Sequence, residues 1–160
     1  MAIIAIVGDI HSNSTVALAP PRVRLDDGGE YVSSAPQRWI WRRWLEFWKE
    51  VGERRAADGG PLYVILNGEL ADDNHHHTTQ LITRNPADQL KVALQVLEPV
   101  RGLLRDGDRL FVTRGTEAHS GVSGSMDETL ARELGAEPAA ADGPVSWWRL
   151  RAEFCGLRLD

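Results

Sequence analysis

The chain has 160 residues, 42% of them hydrophobic, and a formal net charge of −5, which suffices for one domain with a sizeable core and has the wrong sign for a general nucleic-acid-binding surface. A single cysteine excludes an internal disulfide framework and fits a reducing compartment. The apolar start, Ala2 to Val7, lacks a basic leader, and no apolar stretch approaches ~20 residues, so neither a signal peptide nor a membrane span is expected and the location should be cytoplasmic.

Ala2 to Val7 is a run of Ala, Ile and Val bounded by Gly8, the pattern of a buried strand. Asp9 and His11 follow, and residues i and i+2 on a strand's extended end project to one side. Both can reach one ion, and a carboxylate with an imidazole suits Mn²⁺, Fe or Zn²⁺ better than the all-oxygen ions Ca²⁺ and Mg²⁺. The plainer alternative is a turn-capping Asp and a surface His. Residues 12–35 form a long connection rich in Pro, Ser, Asp and Gly, expected as a mobile surface excursion or as a lid over the site.

Pro36 to Ala56 predicts a helix with Ser33 or Ser34 as cap and a core stripe of Ile40, Trp44, Leu45, Trp48 and Val51. Trp39, Trp41 and Phe47 lie off that stripe and are read as core packing or a covered partner surface. Leu62 to Leu66 predicts a second strand, ending in Asn67-Gly68-Glu69, with Asp72 and three histidines, His75 to His77, close behind. Asp73 and Asn74 read as turn residues.

Pro86 to Leu104 predicts the next helix, its face formed by Leu90, Ala93, Leu94, Leu97 and Val100, with Pro99 kinking or ending it and Asp106-Gly107-Asp108 as a turn. Leu110 to Thr113 is a third strand, ending in Arg114-Gly115-Thr116-Glu117-Ala118-His119. Met126 to Leu134 predicts a short helix between Ser125 as N-cap and Gly135 as stop. Glu137 to Pro144 reads as a loop, and Trp148 to Phe154, Cys155-Gly156 and Leu157 to Asp160 as the first arm, turn and second arm of a hairpin.

Three strands thus end in glycine followed by metal-competent side chains. Ligands of open α/β sheets sit outside the carboxyl ends of strands, so one shared site is expected. The element order predicts an α/β (α+β) fold with a parallel-type first sheet.

These motifs resemble the calcineurin-like metallophosphoesterases. Gly8, Asp9 and His11 match the family's GDxH; Gly68, Glu69 and Asp72 match GDxxD with Glu in place of the bridging Asp; Gly115, Thr116 and His119 match GN-H-[ED] loosely, Thr replacing Asn. The run Arg114 to His119 resembles the phage and prophage branch, which would place the protein in a bacterial or phage-infected cell. Across residues 3 to 121 the resemblance implies a two-sheet β-sandwich flanked by helices. The family's later His motifs have no counterpart, since no histidine follows His119, and the expectation is a single domain over 1–160 that is its N-terminal part. An unfinished second sheet would expose a strand edge and favour self-association.

The resemblance further implies a two-ion centre, with Mn the first choice and Fe, Zn, Ni or Mg as alternatives. Asp9, His11 and Glu69 would be metal ligands and His119 the catalytic general acid or a hydrogen-bond donor to the phosphate. Asp72, His75, Arg114 and Thr116 would be further metal or substrate contacts, a structural salt bridge being the other use for Arg114. A carboxylate and a hydroxide bridging two ions would drive in-line attack on a phosphomono- or phosphodiester, nucleotides and nucleic acids being among the substrates, with no membrane partner. The longer Glu69 and the poorer ligand Thr116 put the second ion in question. A catalytically weak or inactive relative serving as an interaction or scaffold module is the second reading. A nucleotide-binding α/β protein is the third, although no GxxxxGK[ST] or GxGxxG is present.

Overall fold

The computed structural model describes residues 1–73, 78–120 and 124–159. The chain is mixed α/β: a parallel four-stranded sheet carries helices on one face and a hairpin on the other. Strands β1 (Ile3–Val7), β4 (Leu62–Asn67), β5 (Arg109–Thr113) and β6 (Ser146–Trp147) lie in that order. The other elements are the hairpin strands β2 (Arg22–Arg24) and β3 (Glu30–Val32), helices α1 (Ala35–Asp58), α2 (Pro86–Arg101), α3 (Glu117–Ser120) and α4 (Ser125–Glu133), and the closing hairpin strands β7 (Ala152–Phe154) and β8 (Leu157–Leu159).

Period-two alternation sorts the strand side chains between two cores. Leu62, Val64 and Leu66 of β4 with Leu110 and Val112 of β5 face the helices and meet Trp48, Val51, Ala93, Val96, Leu97, Val100 and Leu130. Each such side chain fully buried contributes about 1.5–3 kcal/mol. Ile65 and Phe111 face the other way, onto Leu150 and Phe154, with Phe154 ring to ring against Tyr63 at 4.7 Å and Phe111 at 5.3 Å. The closing hairpin covers this second face only in part, and Ile6 stays 51% exposed.

Helix α1 starts where expected, at the Ser34 option. Ser34 Oγ accepts from Gln37 N–H and Gln37 Oε1 accepts from Ser34 N–H, a capping box worth ~1 kcal/mol. Its apolar stripe is rotated from the expected one. Leu45 is 40% exposed, whereas Trp41 packs on the core beside Ile40 and Trp44, because Trp44 turns its indole N–H to Val96 O at 2.8 Å and sets the helix on α2. Trp39 and Phe47 remain on the surface. Helix α2 ends at Arg101, two residues past Pro99 and before the expected Leu104, since Pro99 supplies no N–H to the preceding turn. It buries Val92 and Val96 and leaves Leu90 and Leu94 partly exposed. In α4 the N-cap is Gly124 and Ser125 is already helical.

The 12–35 connection is neither a loose excursion nor a lid. It buries Leu18, Ala19 and Val23, forms the β2–β3 hairpin, and is pinned to α1 by Gln37 Nε2, which donates to Ser14 O and Ala17 O at 3.1 Å each. The closing hairpin is shorter than its expected first arm. Ser146 and Trp147, which lie between the expected loop and the expected arm, add a parallel strand to β5. Its turn is as expected: Cys155 and Gly156 both take left-handed φ, 50° and 86°, as a two-residue I′ turn requires.

One carboxylate holds β6 in place. Glu128 of α4 accepts from the N–H of Val145, and from the N–H and hydroxyl of Ser146 at 2.9 and 2.8 Å. Burial opposes its ionisation, but these donors and Arg132 outweigh burial and hold its carboxyl down to about 2. With the folded value below the unfolded one, this contribution is complete above the unfolded value and lost as pH falls through the folded one. Glu128→Gln is therefore expected to destabilise the fold by on the order of 2–3 kcal/mol at neutral pH. In urea unfolding at a series of pH values, the gap from the parent should close between about 4.5 and about 2.

Candidate metal centre

Parallel neighbours β1 and β4 send their loops off side by side, and the backbone pairing runs on past the strands. Asp9 N–H reaches Gly68 O at 3.3 Å, His11 N–H reaches Glu69 O at 2.8 Å, Ser12 N–H reaches Leu70 O at 3.1 Å, and Asp72 N–H returns to Ser12 O at 2.8 Å. This corrects the expected extended strand end. Strand β1 stops at Val7, and Asp9, His11, Asn13 and Glu69 take left-handed φ of 53°, 48°, 76° and 51°. For a non-glycine residue that conformation costs roughly 1–2 kcal/mol, and Glu69 lacks the short side chain that eases it for Asp and Asn. Strain held by a surrounding hydrogen-bond frame marks a functional loop.

Asn13 is the part of the frame that the sequence did not single out. It is fully buried; its amide donates to Asp72 O and Thr83 O at 2.9 and 3.0 Å and its oxygen accepts from Thr83 N–H at 3.1 Å. A second brace comes from α4, where buried Asp127 accepts from Gly115 N–H at 2.8 Å. Burial raises the Asp127 carboxyl above its ordinary value, against the pull of the Ser120 hydroxyl and Gly115 N–H. Nothing in the local pattern of a polar helix start distinguishes Asp127 from a surface residue.

Four side chains converge inside this frame. Thr116 N–H donates to Glu69 Oε1 at 2.9 Å. Glu69 Oε2 is buried and makes no hydrogen bond; His119 Nδ1 lies 3.8 Å from it. Asp72 Oδ1 is 2.8 Å from His11 Nδ1 and 2.8 Å from His119 Nδ1, and the two rings stand 4.7 Å apart at 71°. A carboxylate only accepts, so Nδ1 is the donor in each contact, the arrangement that in an imidazole directs Nε2 away from Asp72 as the other ring nitrogen. A carboxylate behind an imidazole in this way is the usual support of a metal-binding histidine. One ligand-type atom from each of His11, Glu69 and His119 lies within 4.8 Å of the others, a group that can hold a metal ion.

The expected ligands are thus partly regrouped. His11 and Glu69 come together, but the third member is His119. Asp9 stands at the rim, 83% exposed, with Oδ1 3.9 Å from His11 Nε2, within the roughly 4.2 Å that two ligands at ~2.1 Å from one ion can span. Asp72 binds the two rings. Thr116 serves through its backbone N–H, and its side chain is exposed. Arg114 takes the structural role: its Nε donates to Ser146 Oγ at 2.8 Å, its NH2 lies 3.9 Å from Glu128, and its guanidinium covers Trp148. His75, with Asn74, His76 and His77, falls outside the described residues. Among the described residues no helix is long and apolar enough to cross a membrane.

Compared with protein-family models, curated proteins and solved structures, the chain matches none. The site therefore has to be judged on its own donors. An oxygen-and-nitrogen set with one buried, unsatisfied carboxylate oxygen fits a divalent transition metal, which would give Glu69 Oε2 the partner it lacks.

Close backbone approach is what makes the group possible. A Cβ on Gly8 would lie 2.5 Å from Asn67 O, and one on Gly115 would lie 2.6 Å from Ser120 Oγ and 2.7 Å from Glu69 N. Gly115→Ala is expected to push the Thr116 loop off Glu69. It should destabilise the fold by about 1–3 kcal/mol and weaken Mn²⁺ binding about tenfold or more, measured by thermal unfolding and by titration calorimetry.

Proposed function

We propose that this chain is a divalent-metal-dependent phosphoesterase of the calcineurin-like type, with the ion held by His11, Glu69 and His119 and approached by Asp9 from the solvent side. The observation that carries the reading is the grouping of ligand-type atoms of His11, Glu69 and His119 within 4.8 Å of one another, with Glu69 Oε2 buried and without a hydrogen bond. The motif resemblance adds the reaction class, and the parallel sheet with its site at the carboxyl ends of β1, β4 and β5 agrees with the coarse architecture.

Each residue then has a task. Thr116 N–H fixes one Glu69 oxygen and leaves the other directed at the ion. Asp72 locks the tautomer of both histidines, so that each presents Nε2. Asp9, exposed at the rim, is suited to a ligand that exchanges with water or substrate. An ion in this place would supply an activated water for in-line attack and would neutralise charge on the phosphoryl oxygens. Histidine cannot ligate and donate a proton from the same nitrogen, so this assignment gives His119 the ligand role in place of the general-acid role that the motif alone implies.

Titration calorimetry with Mn²⁺ tests the reading, with hydrolysis of bis(p-nitrophenyl) phosphate as the second readout. Glu69→Gln and His119→Asn are each expected to weaken binding about tenfold or more and to remove hydrolysis, while Asp9→Asn weakens binding less than either. Unchanged affinity in both Glu69→Gln and His119→Asn would defeat the metal assignment. Unchanged affinity with lost hydrolysis in His119→Asn alone would return His119 to proton donation.

A further inference from the structure

Beside the metal-competent edge lies a cleft of about 440 Å³, within the ~300–1,000 Å³ typical of small-molecule sites. Its apolar floor is Ile6 and Ile65, its end wall Asn67 and Thr113, and its outer wall Trp148 and Arg149. Asn67 and Thr113 are the last residues of β4 and β5, immediately before Gly68-Glu69 and Arg114-Gly115-Thr116, so the cleft opens at the same carboxyl edge as the candidate centre. A larger groove of about 890 Å³ between α1, α2 and β2 is lined by no residue of the four-stranded sheet.

Three features of the cleft specify an occupant. Trp148 is 68% exposed and is held by the Arg114 guanidinium, 4.5 Å from the centre of its ring, so a large aromatic surface is both fixed in place and open to a flat partner. Arg149 is exposed, and among the described residues it makes no ion pair or hydrogen bond. Asn67 presents an amide, the group that pairs with base edges, steadied by the Thr113 hydroxyl, which donates to Asn67 Oδ1 at 3.1 Å. A fixed aromatic plate, a free cation and an amide at the end of an apolar slot together suit a base carrying a phosphate; a lipid tail would use neither Asn67 nor Arg149.

We infer that the cleft takes the base of a nucleoside phosphate ester, stacked on Trp148, with Arg149 drawn to the phosphate. The inference rests on the phosphoesterase reading and deepens it by naming the substrate class. Stacking on an aromatic side chain is sequence-tolerant, so the cleft selects for the presence of a base more than for its identity.

Binding to the metal-free protein separates this inference from the metal assignment, which Mn²⁺ titration tests by itself. In titration calorimetry in the presence of EDTA, adenosine 5′-monophosphate is expected to bind about tenfold or more tightly than ribose 5-phosphate. Trp148→Leu should abolish that ratio and Trp148→Phe should keep most of it, each variant checked for native circular dichroism. Arg149→Ala, which loses no side-chain partner among the described residues, should weaken both compounds by a similar factor. Equal affinity for the two compounds in the parent, or an undiminished ratio in folded Trp148→Leu, would overturn the inference. Arg149→Ala binding both as the parent does would overturn the phosphate contact.

Discussion

The site depends on the parallel pairing of β1 with β4 continuing beyond the strands. Ordinarily a parallel ladder ends and the two chains part. Here Asp9, His11 and Ser12 keep donating to Gly68, Glu69 and Leu70, and Asp72 donates back to Ser12, so two loops behave as one rigid unit. Left-handed φ at Asp9, His11, Asn13 and Glu69 is the cost of that continuation. It is offset by a buried frame of Ser12, Asn13 and Asp127. The side chains can therefore be positioned without being on a regular element, which is how a loop site acquires the precision of a strand.

Asp72 occupies the centre of the arrangement, although it is not among the residues grouped as ligands. By accepting from two imidazoles at 2.8 Å each, it couples the β1 loop to the α3 turn through a single oxygen. Asp73 N–H, donating to His119 O at 3.1 Å, repeats that coupling through the backbone. The orientation of His119 is thus set from the β4 loop and not from its own short helix. A four-residue helix is too brief to orient a side chain by itself.

Strand identity was legible in the sequence because β1, β4 and β5 are short apolar runs closed by polar or glycine residues, and because their face alternation leaves no other arrangement with a buried core. The long helices were equally plain from spacing and caps. Strand β6 was not legible: two residues, Ser146 and Trp147, carry no periodicity, and their pairing is decided by Glu128 from another element. The stripe of α1 was misjudged at Leu45 and Trp41 for a related reason. Trp39, Trp41, Trp44 and Trp48 in one helix make many rotations look apolar, and the Trp44 bond to Val96 O selects one. At the candidate site, residue types pointed to the three loops that come together, yet which side chains group there is decided by backbone conformation. Asp9 was read as projecting with His11 from an extended end, and a left-handed turn sends it to the rim instead.

The two faces of the sheet explain why chemistry and recognition would divide as proposed. The helix face is closed, with Val64, Leu66 and Val112 fully buried, and can only support. The opposite face is covered by a three-residue-per-strand hairpin that reaches Ile65 and Phe111 but not Ile6. What the hairpin leaves uncovered is the strip next to the carboxyl ends, where Trp148 and Arg149 stand over it. A phosphoryl group at the strand ends and a base on that strip would need no rearrangement of the sheet to be bound together, because Asn67 and Thr113, which line the cleft, directly precede the loops of the candidate centre. Glu69 lies two residues beyond Asn67 and Thr116 three beyond Thr113. Any shift of the strand ends would therefore move the cleft and the candidate metal ligands as one body, and under the proposed reading this is the geometric condition for binding energy gained at a base to be felt at a phosphoryl group.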